Sequence, residues 1–302
     1  MQLDKPADIC LSIGCQIQKN APMSEHTSFR IGGPADLLVT VPDAAKMGQV
    51  KSIFDKEEIP VLILGNGTNM LVSDKGIEGV VIKADAQRIQ PELRDGLVFC
   101  QGGVPLKKLC RFARDNGMSG LEFAYGIPGT VGGAVYMNAG AFNGQMSDVL
   151  FWAEAYFDDS GIVRVEQDKL NLGYRHSVFM EKRGVVTGAA FLLKPDIPEK
   201  IDLRMEEFMR RRRENQPLEY PSAGSFFKRP KGFFAGALIE SSGLKGKTVG
   251  GAQVSEKHAG FIINTGGATC NDVQRLADAL IKCVMRDHQV MLQPEVCFIG
   301  RE

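Results

Sequence analysis

Glycine placement constrains this chain more than any other feature of its sequence. Many of its 34 glycines crowd into short segments: Gly65-Asn66-Gly67-Thr68-Asn69, Gly126-Ile127-Pro128-Gly129-Thr130-Val131-Gly132-Gly133 and Asn138-Ala139-Gly140. Clustered glycines let backbone N–H groups approach another group closely, which is what holding a phosphate demands. The first cluster directly follows residues 61–64, an apolar run that reads as a short buried strand. A glycine-rich turn there can cradle a pyrophosphate. It matches neither Gly-x-Gly-x-x-Gly nor a loop ending in Gly-Lys-Ser/Thr, and a plain turn reads equally well. In the second cluster Pro128 suits the first turn of a helix whose bared N–H groups face an anion, with tight packing on a neighbour as the alternative. Two such loops in one chain suggest a dinucleotide spread across both.

The remaining composition is that of a globular protein. At 302 residues, 44% hydrophobic and 24% charged, the chain can build two or three cores, and it is neither disordered, collagenous nor coiled-coil. Nowhere do eighteen apolar residues run together, so no membrane span is expected. Lys5 ahead of a short apolar stretch over residues 9–15, broken by Ser12 and Gly14, is too weak for a secretory signal, and a cytoplasmic protein is expected. Seven cysteines without a Cys-x-x-Cys pair read as reduced thiols, buried with the exception of Cys297. His26, His176, His258 and His288 do not cluster at ligand spacing, so no metal is expected.

Lys and Arg total 36, as do Asp and Glu, so nothing favours bulk attraction to nucleic acid or membrane. An anionic ligand must be held by local charge. Residues 200–260 supply it, with twelve Lys and Arg against seven Asp and Glu. Lys228, Arg229 and Lys231 are the candidate phosphate contacts, whereas residues 210–213 read as a solvated helix end. With no exposed apolar heptad, a monomer is expected.

Periodicity predicts strands near 37–41, 61–64, 80–82, 151–157, 162–165 and 185–193. Helices are predicted from Pro42-Asp43 onward, near 105–116, after Pro128, and over 198–213 with a stop at Pro217. A further helix is expected over 270–288, where Thr269 and Asp272 can form a capping box. The pattern is α+β in several units and not doubly wound. Three polar residues sit in short glycine- and aromatic-flanked contexts: Arg175 in Gly173-Tyr174-Arg175-His176-Ser177, Ser225 in Ala223-Gly224-Ser225-Phe226-Phe227-Lys228, and Glu295 in Pro294-Glu295-Val296-Cys297-Phe298. Taken singly, each also reads as a surface ion pair, a strand hydroxyl or a solvated carboxylate.

Together with Thr27-Ser28-Phe29-Arg30-Ile31-Gly32-Gly33 and residues 65–74 and 126–140, these segments resemble, in order along nearly the whole chain, the UDP-N-acetylenolpyruvoylglucosamine reductase family. Its members are flavoenzymes that complete UDP-N-acetylmuramate for bacterial peptidoglycan. The resemblance implies the α+β, vanillyl-alcohol-oxidase-type FAD-binding fold. FAD-binding subdomains are expected at 1–85 and 86–197 and a substrate-binding domain at 198–298, with 299–302 returning to the first. Implied FAD contacts are Gly65, Asn66, Gly67, Thr68, Asn69, Gly126, Pro128, Gly129, Thr130, Gly132, Gly133, Asn138 and Gly140. Residues 60–75 and 120–145 hold no His or Cys, which favours non-covalent FAD.

The family's catalytic trio falls on Arg175, Ser225 and Glu295, converging at the exposed edge of the flavin ring, with Arg175, Lys228 and Arg229 on the substrate. The short interval between Arg175 and Ser225 matches the family's shorter form, without its inserted tyrosine loop. Cys297 stands where the family often has a basic residue. If Glu295 opens a strand, the two side chains share a face. The implied reaction passes hydride from NADPH to FAD and on to C3 of UDP-N-acetylglucosamine enolpyruvate, with a proton from Ser225 to C2. Arg175 polarises the carboxylate, and Glu295 acts as a neutral acid or orients Arg175. The alternative within the fold is an FAD-dependent oxidase or dehydrogenase of another sugar or alcohol. A regulatory nucleotide-binding module would need the loops without the trio.

Overall fold

The computed structural model describes residues 2–86 and 88–302. Strands Gln16–Pro22, Pro34–Val41, Ile77–Ala84 and Val61–Leu64 form a four-stranded sheet in that order. Within it Val61–Leu64 runs parallel to the neighbouring strand, Val61 opposite Val80 and Ile63 opposite Ile82. Strand alternation puts Val80, Ile82 and Ala84 on one face with Leu37, Val39 and Val41. Helix Lys46–Asp55 covers that face with Met47, Val50 and Phe54. It starts later than Pro42-Asp43 because the Asp43 carboxylate accepts the Lys46 N–H at 3.1 Å, capping the turn from outside.

A five-stranded antiparallel sheet follows in the order Gly161–Glu166, Leu150–Phe157, Val185–Phe191, Leu97–Gln101, Glu92–Arg94. Its central strand Val185–Phe191 is buried at every residue. Helices Leu106–Asp115 and Val131–Tyr136 contribute Leu106, Leu109, Val131 and Val135 to the same core. In the last third, strands Ser222–Ser225, Phe261–Asn264, Ala252–Val254 and Thr248–Val249 form a third sheet. Helix Cys270–His288 joins it in one core through Val273, Leu276, Leu280 and Val284. The expected capping box is present, with Thr269 Oγ1 accepting from Asp272 N and an Asp272 carboxylate oxygen from Thr269 N, each at 3.1 Å.

The chain divides into two compact units. The first comprises Met1–Gln18, Leu37–Asn66 and Gly79–Arg211. It holds two cores, one under the four-stranded sheet and one under the five-stranded sheet. The second comprises Lys19–Asp36, Gly67–Glu78 and Arg212–Glu302, with a single core. In this second unit the terminal strand Cys297–Ile299 pairs in parallel with Met70–Val72. Beyond it Arg301 Nη2 grips both carboxylate oxygens of Asp36 at 2.7 and 2.8 Å. Among the described residues no helix is long and apolar enough to cross a membrane.

Candidate active site

In the first unit the two glycine clusters meet. Asn66 Nδ2 donates to Pro128 O at 3.0 Å. A Cβ on Gly65 would lie 2.7 Å from Thr130 Oγ1, so this approach requires glycine. The N–H groups that open helix Val131–Tyr136 are already spent: Val131 N donates to Val104 O at 2.9 Å and Gly132 N to Gly102 O at 2.7 Å. Gly133 N donates to the capping Thr130 Oγ1 at 3.2 Å. Of the two readings of this cluster, close packing is what Gly132 displays, since its Cβ would come 3.1 Å from both Gly102 O and Val186 O. The expectation that these helix N–H groups face an anion is therefore corrected. Residues 65–66 and 126–130 include no Asp or Glu, and they offer backbone amides and the half-buried Asn66, with Thr130 buried beneath. That neutral, donor-rich chemistry fits the pyrophosphate of FAD.

Arg175 lies in a tight turn in which Gly173 N donates to His176 O at 3.1 Å and His176 N to Gly173 O at 3.2 Å. Its φ of +53° is left-handed, a conformation that favours glycine or asparagine. Its guanidinium reaches Gly140 O at 3.4 Å and stacks on Tyr174 at 5.3 Å. Asn138 also belongs to this turn: Nδ2 donates to Gly173 O and Oδ1 accepts from Ser147 N, both at 2.9 Å. The buried Ser177 hydroxyl donates to Tyr136 O at 2.6 Å. His176 pairs with Glu181 at 2.9 Å on the outer side. Sequence reasoning placed Asn138 and Gly140 with the cofactor and did not single out Ser177. The Tyr-Arg-x-Ser run gave no hint of a left-handed backbone.

In the second unit Gly67, at φ +60°, packs so closely that a Cβ would lie 2.3 Å from His26 O. Thr68 follows, half-buried. Asn69 Nδ2 donates to Glu295 O at 3.3 Å, and Asn69 O accepts from Cys297 N at 3.0 Å. A loop read as a cofactor turn thus also clasps the segment carrying Glu295, which lies before the strand that opens at Cys297 rather than opening it. Ser225 ends its strand at an irregularity where Ser222 faces Ile263 but Ser225 faces Phe261, with Gly224 at φ +79°. Such bulges re-aim a side chain, and Ser225 is exposed.

The buried Phe226 anchors both candidate residues of this unit. Its N–H donates to Gly260 O, and its carbonyl accepts the Glu295 N–H, each at 2.8 Å. Phe227 bridges Pro294, and Lys228 N donates to Gln293 O at 2.8 Å. The structure therefore brings Ser225 and Glu295 onto neighbouring backbone, with Lys228 following. Arg229 lies over the exposed Phe234 ring at 4.0 Å. Desolvation holds the Cys297 thiol above its ordinary pKa, with Lys228 opposing and Glu295 adding to the rise.

Residues 35–166 match the family model described as FAD binding domain, and residues 216–299 match that of the UDP-N-acetylenolpyruvoylglucosamine reductase C-terminal domain. A UDP-N-acetylenolpyruvoylglucosamine reductase from Syntrophomonas wolfei is 46% identical over 288 residues, covering 95% of this chain and 96% of the relative. One from Clostridium botulinum is 47% identical over 281 residues, covering 93% and 92%. The crystal structure of the Thermus caldophilus reductase superposes with a TM-score of 0.80 at 35% identity, covering 95% of this chain and 99% of that one. Acremonium strictum glucooligosaccharide oxidase shares the fold alone, with a TM-score of 0.51 at 12% identity over 96% of this chain and 60% of the oxidase. The architecture is thus the expected α+β FAD-binding fold with a C-terminal domain.

Proposed function

This chain belongs to the UDP-N-acetylenolpyruvoylglucosamine reductase family, and we propose that it reduces UDP-N-acetylglucosamine enolpyruvate to UDP-N-acetylmuramate at the expense of NADPH. Bound FAD would supply the relay of hydride from NADPH to C3 of the enolpyruvyl ether. Gly65, Asn66, Gly67, Thr68, Asn69 and the turn at Gly126, Pro128, Gly129 and Thr130 hold it without a covalent tether. Gly132, Gly133 and Gly140 shape the backbone behind that turn. Residues 1–85 and 86–197 serve the cofactor and residues 198–298 the substrate, in a monomer acting in the cytoplasm on a soluble nucleotide sugar.

An enol ether is electron-rich and accepts hydride only if its carboxylate is polarised. Arg175 supplies a permanent cation whose forked donors match that carboxylate. Lys228 and Arg229, both exposed, meet the diphosphate. As hydride reaches C3, negative charge builds at C2 and in the carboxylate, and Ser225 Oγ gives its proton to C2. A serine hydroxyl is a weak acid, so it must be aimed at a strongly basic carbon. Glu295 either meets the substrate carboxylate directly or orients Arg175.

The observation carrying this reading is the shared anchor of Ser225 and Glu295. The exposed Ser225 precedes Phe226 in the chain, and the half-buried Glu295 is hydrogen-bonded through its N–H to the Phe226 carbonyl. Stopped-flow absorbance of the FAD-loaded Ser225→Ala variant tests it. NADPH should bleach the flavin at a near-normal rate, and reoxidation by the enolpyruvyl ether should slow about 10²–10⁴-fold. Equal loss in both halves would overturn the proton-donor role.

A further inference from the structure

We propose that Asn138 and Ser177 are positioning residues that hold the Arg175 guanidinium in register for the reduction step, an inference that rests on the reading above. A left-handed arginine persists only where its surroundings over-determine the backbone. Here the 173–176 turn is pinned at both ends by the C-terminal end of helix Val131–Tyr136. On one side Gly173 O accepts two donors, His176 N within the turn and Asn138 Nδ2 from outside it. On the other side the Ser177 hydroxyl satisfies Tyr136 O, one of the carbonyls a helix end leaves without an intrahelical partner.

Both pins are dry, Asn138 being 2% exposed and Ser177 fully buried. Water cannot readily replace either bond, so its loss is felt in full. The helix supplying them is fixed at its other end by Val131 N on Val104 O and Gly132 N on Gly102 O. A continuous hydrogen-bonded path therefore runs from the core strand Leu97–Gln101 and its following turn to Arg175. The Asn138 carboxamide has an oxygen and a nitrogen already engaged by protein, and the Ser177 hydroxyl proton is used on Tyr136 O. They act through Arg175.

The test uses FAD-loaded Ser177→Ala and Asn138→Asp, the latter keeping an acceptor for Ser147 N but no donor for Gly173 O. Displacing a substrate-positioning group by about 1 Å can cost roughly 10²-fold. Each variant should therefore slow flavin reoxidation by saturating enolpyruvyl substrate about 10- to 100-fold and leave flavin bleaching by NADPH within about two-fold. In an Arg175→Ala background the same substitutions should add less than about two-fold, because the group they position is gone. Equal loss in both half-reactions, or a full further loss without Arg175, overturns the inference.

Amide hydrogen exchange gives a readout independent of activity. Exchange at His176 N–H should quicken in both variants while strand Val185–Phe191 keeps its protection, and an unchanged His176 overturns the inference. Failure of the functional reading shows separately, as unsubstituted enzyme whose NADPH-reduced flavin the enolpyruvyl ether does not reoxidise.

Discussion

Replacing Arg175 by asparagine and by alanine separates what its backbone costs from what its side chain does. Both substitutions delete the same contacts, a stretched 3.4 Å bond to Gly140 O and stacking on Tyr174 at 5.3 Å. Neither contact is strong, and both losses cancel when the two variants are compared. What remains is the backbone at φ +53°. The left-handed region costs an ordinary L-residue roughly 1–2 kcal/mol, while asparagine is among the residues that visit it routinely. Arg175→Asn should therefore be more stable than Arg175→Ala by about 1 kcal/mol, equivalent to a melting difference of about 2 °C in a chain of this size. Urea unfolding followed by circular dichroism at one fixed FAD concentration measures it, because bound cofactor shifts both curves by mass action. Both variants should lose at least about 10²-fold in flavin reoxidation by substrate. Equal urea midpoints, or a more stable alanine variant, would refute the strain at Arg175. Retained turnover in Arg175→Asn would refute the role of its charge.

Other expectations are cheaper to test. Burial pushes the Glu122 carboxyl up, but two bonds from Arg204, at 2.8 and 3.0 Å, and one from Gly120 N at 2.7 Å outweigh it, so the group sits below its ordinary 4.5. A depressed carboxylate contributes stability above its unfolded pKa and loses it as pH falls through the folded one. Glu122→Gln should thus destabilise by about 1–3 kcal/mol at pH 7, and the gap should narrow as pH falls below the ordinary carboxyl value of 4.5; a gap that stays constant into strong acid would refute this. In the native protein a thiol reagent should modify Cys297 and Cys283 only. The other five thiols are buried, with burial pushing Cys100 up to about 12 and Cys10 and Cys270 to about 11. A native titre above two would contradict that burial. Gly67→Ala and Gly161→Ala both place a Cβ on left-handed backbone, at φ +60° and +69°, but only the first meets atoms, His26 O at 2.3 Å. Both should lose about 1 kcal/mol to strain, and Gly67→Ala appreciably more in urea midpoint; equal losses would refute the steric account.

Elements with a clean period and a marked end were readable before any coordinates. Helix Cys270–His288 shows its apolar stripe and capping box openly, and Val61–Leu64 is a plain apolar run before a glycine. Helix Asp4–Ser12 escaped notice because Ile9 and Leu11 face solvent at 42% and 53% exposure and blur the stripe left by Ala7 and Cys10. At the candidate site, motif spelling proposed residues but gave no sign of the partners of their backbone groups. The glycines near Val131 advertised free N–H donors, yet Gly102 and Val104, nearly thirty residues earlier, claim two of them. No local rule reveals which distant carbonyl takes a given amide.

Nor is a left-handed arginine a marker in itself, since Arg30 at φ +54° and Arg183 at φ +51° share the conformation. Arg183 closes the short helix Val178–Lys182, where a left-handed residue is the ordinary helix stop. Arg30 closes a local turn through its N–H to Thr27 O at 3.2 Å. Local chain reversal accounts for Arg183, whereas the Arg30 turn is also gripped from afar, Asn264 Nδ2 donating to Phe29 O at 3.1 Å and Ser28 Oγ to Ser222 O at 2.7 Å. At Arg175 the turn is likewise gripped by side-chain bonds from buried residues spanning 35 and 41 residues of sequence, which chain reversal alone does not require. Long-range polar contacts therefore set Arg175 and Arg30 apart from Arg183, and strain so held does not by itself single out the arginine proposed to meet substrate.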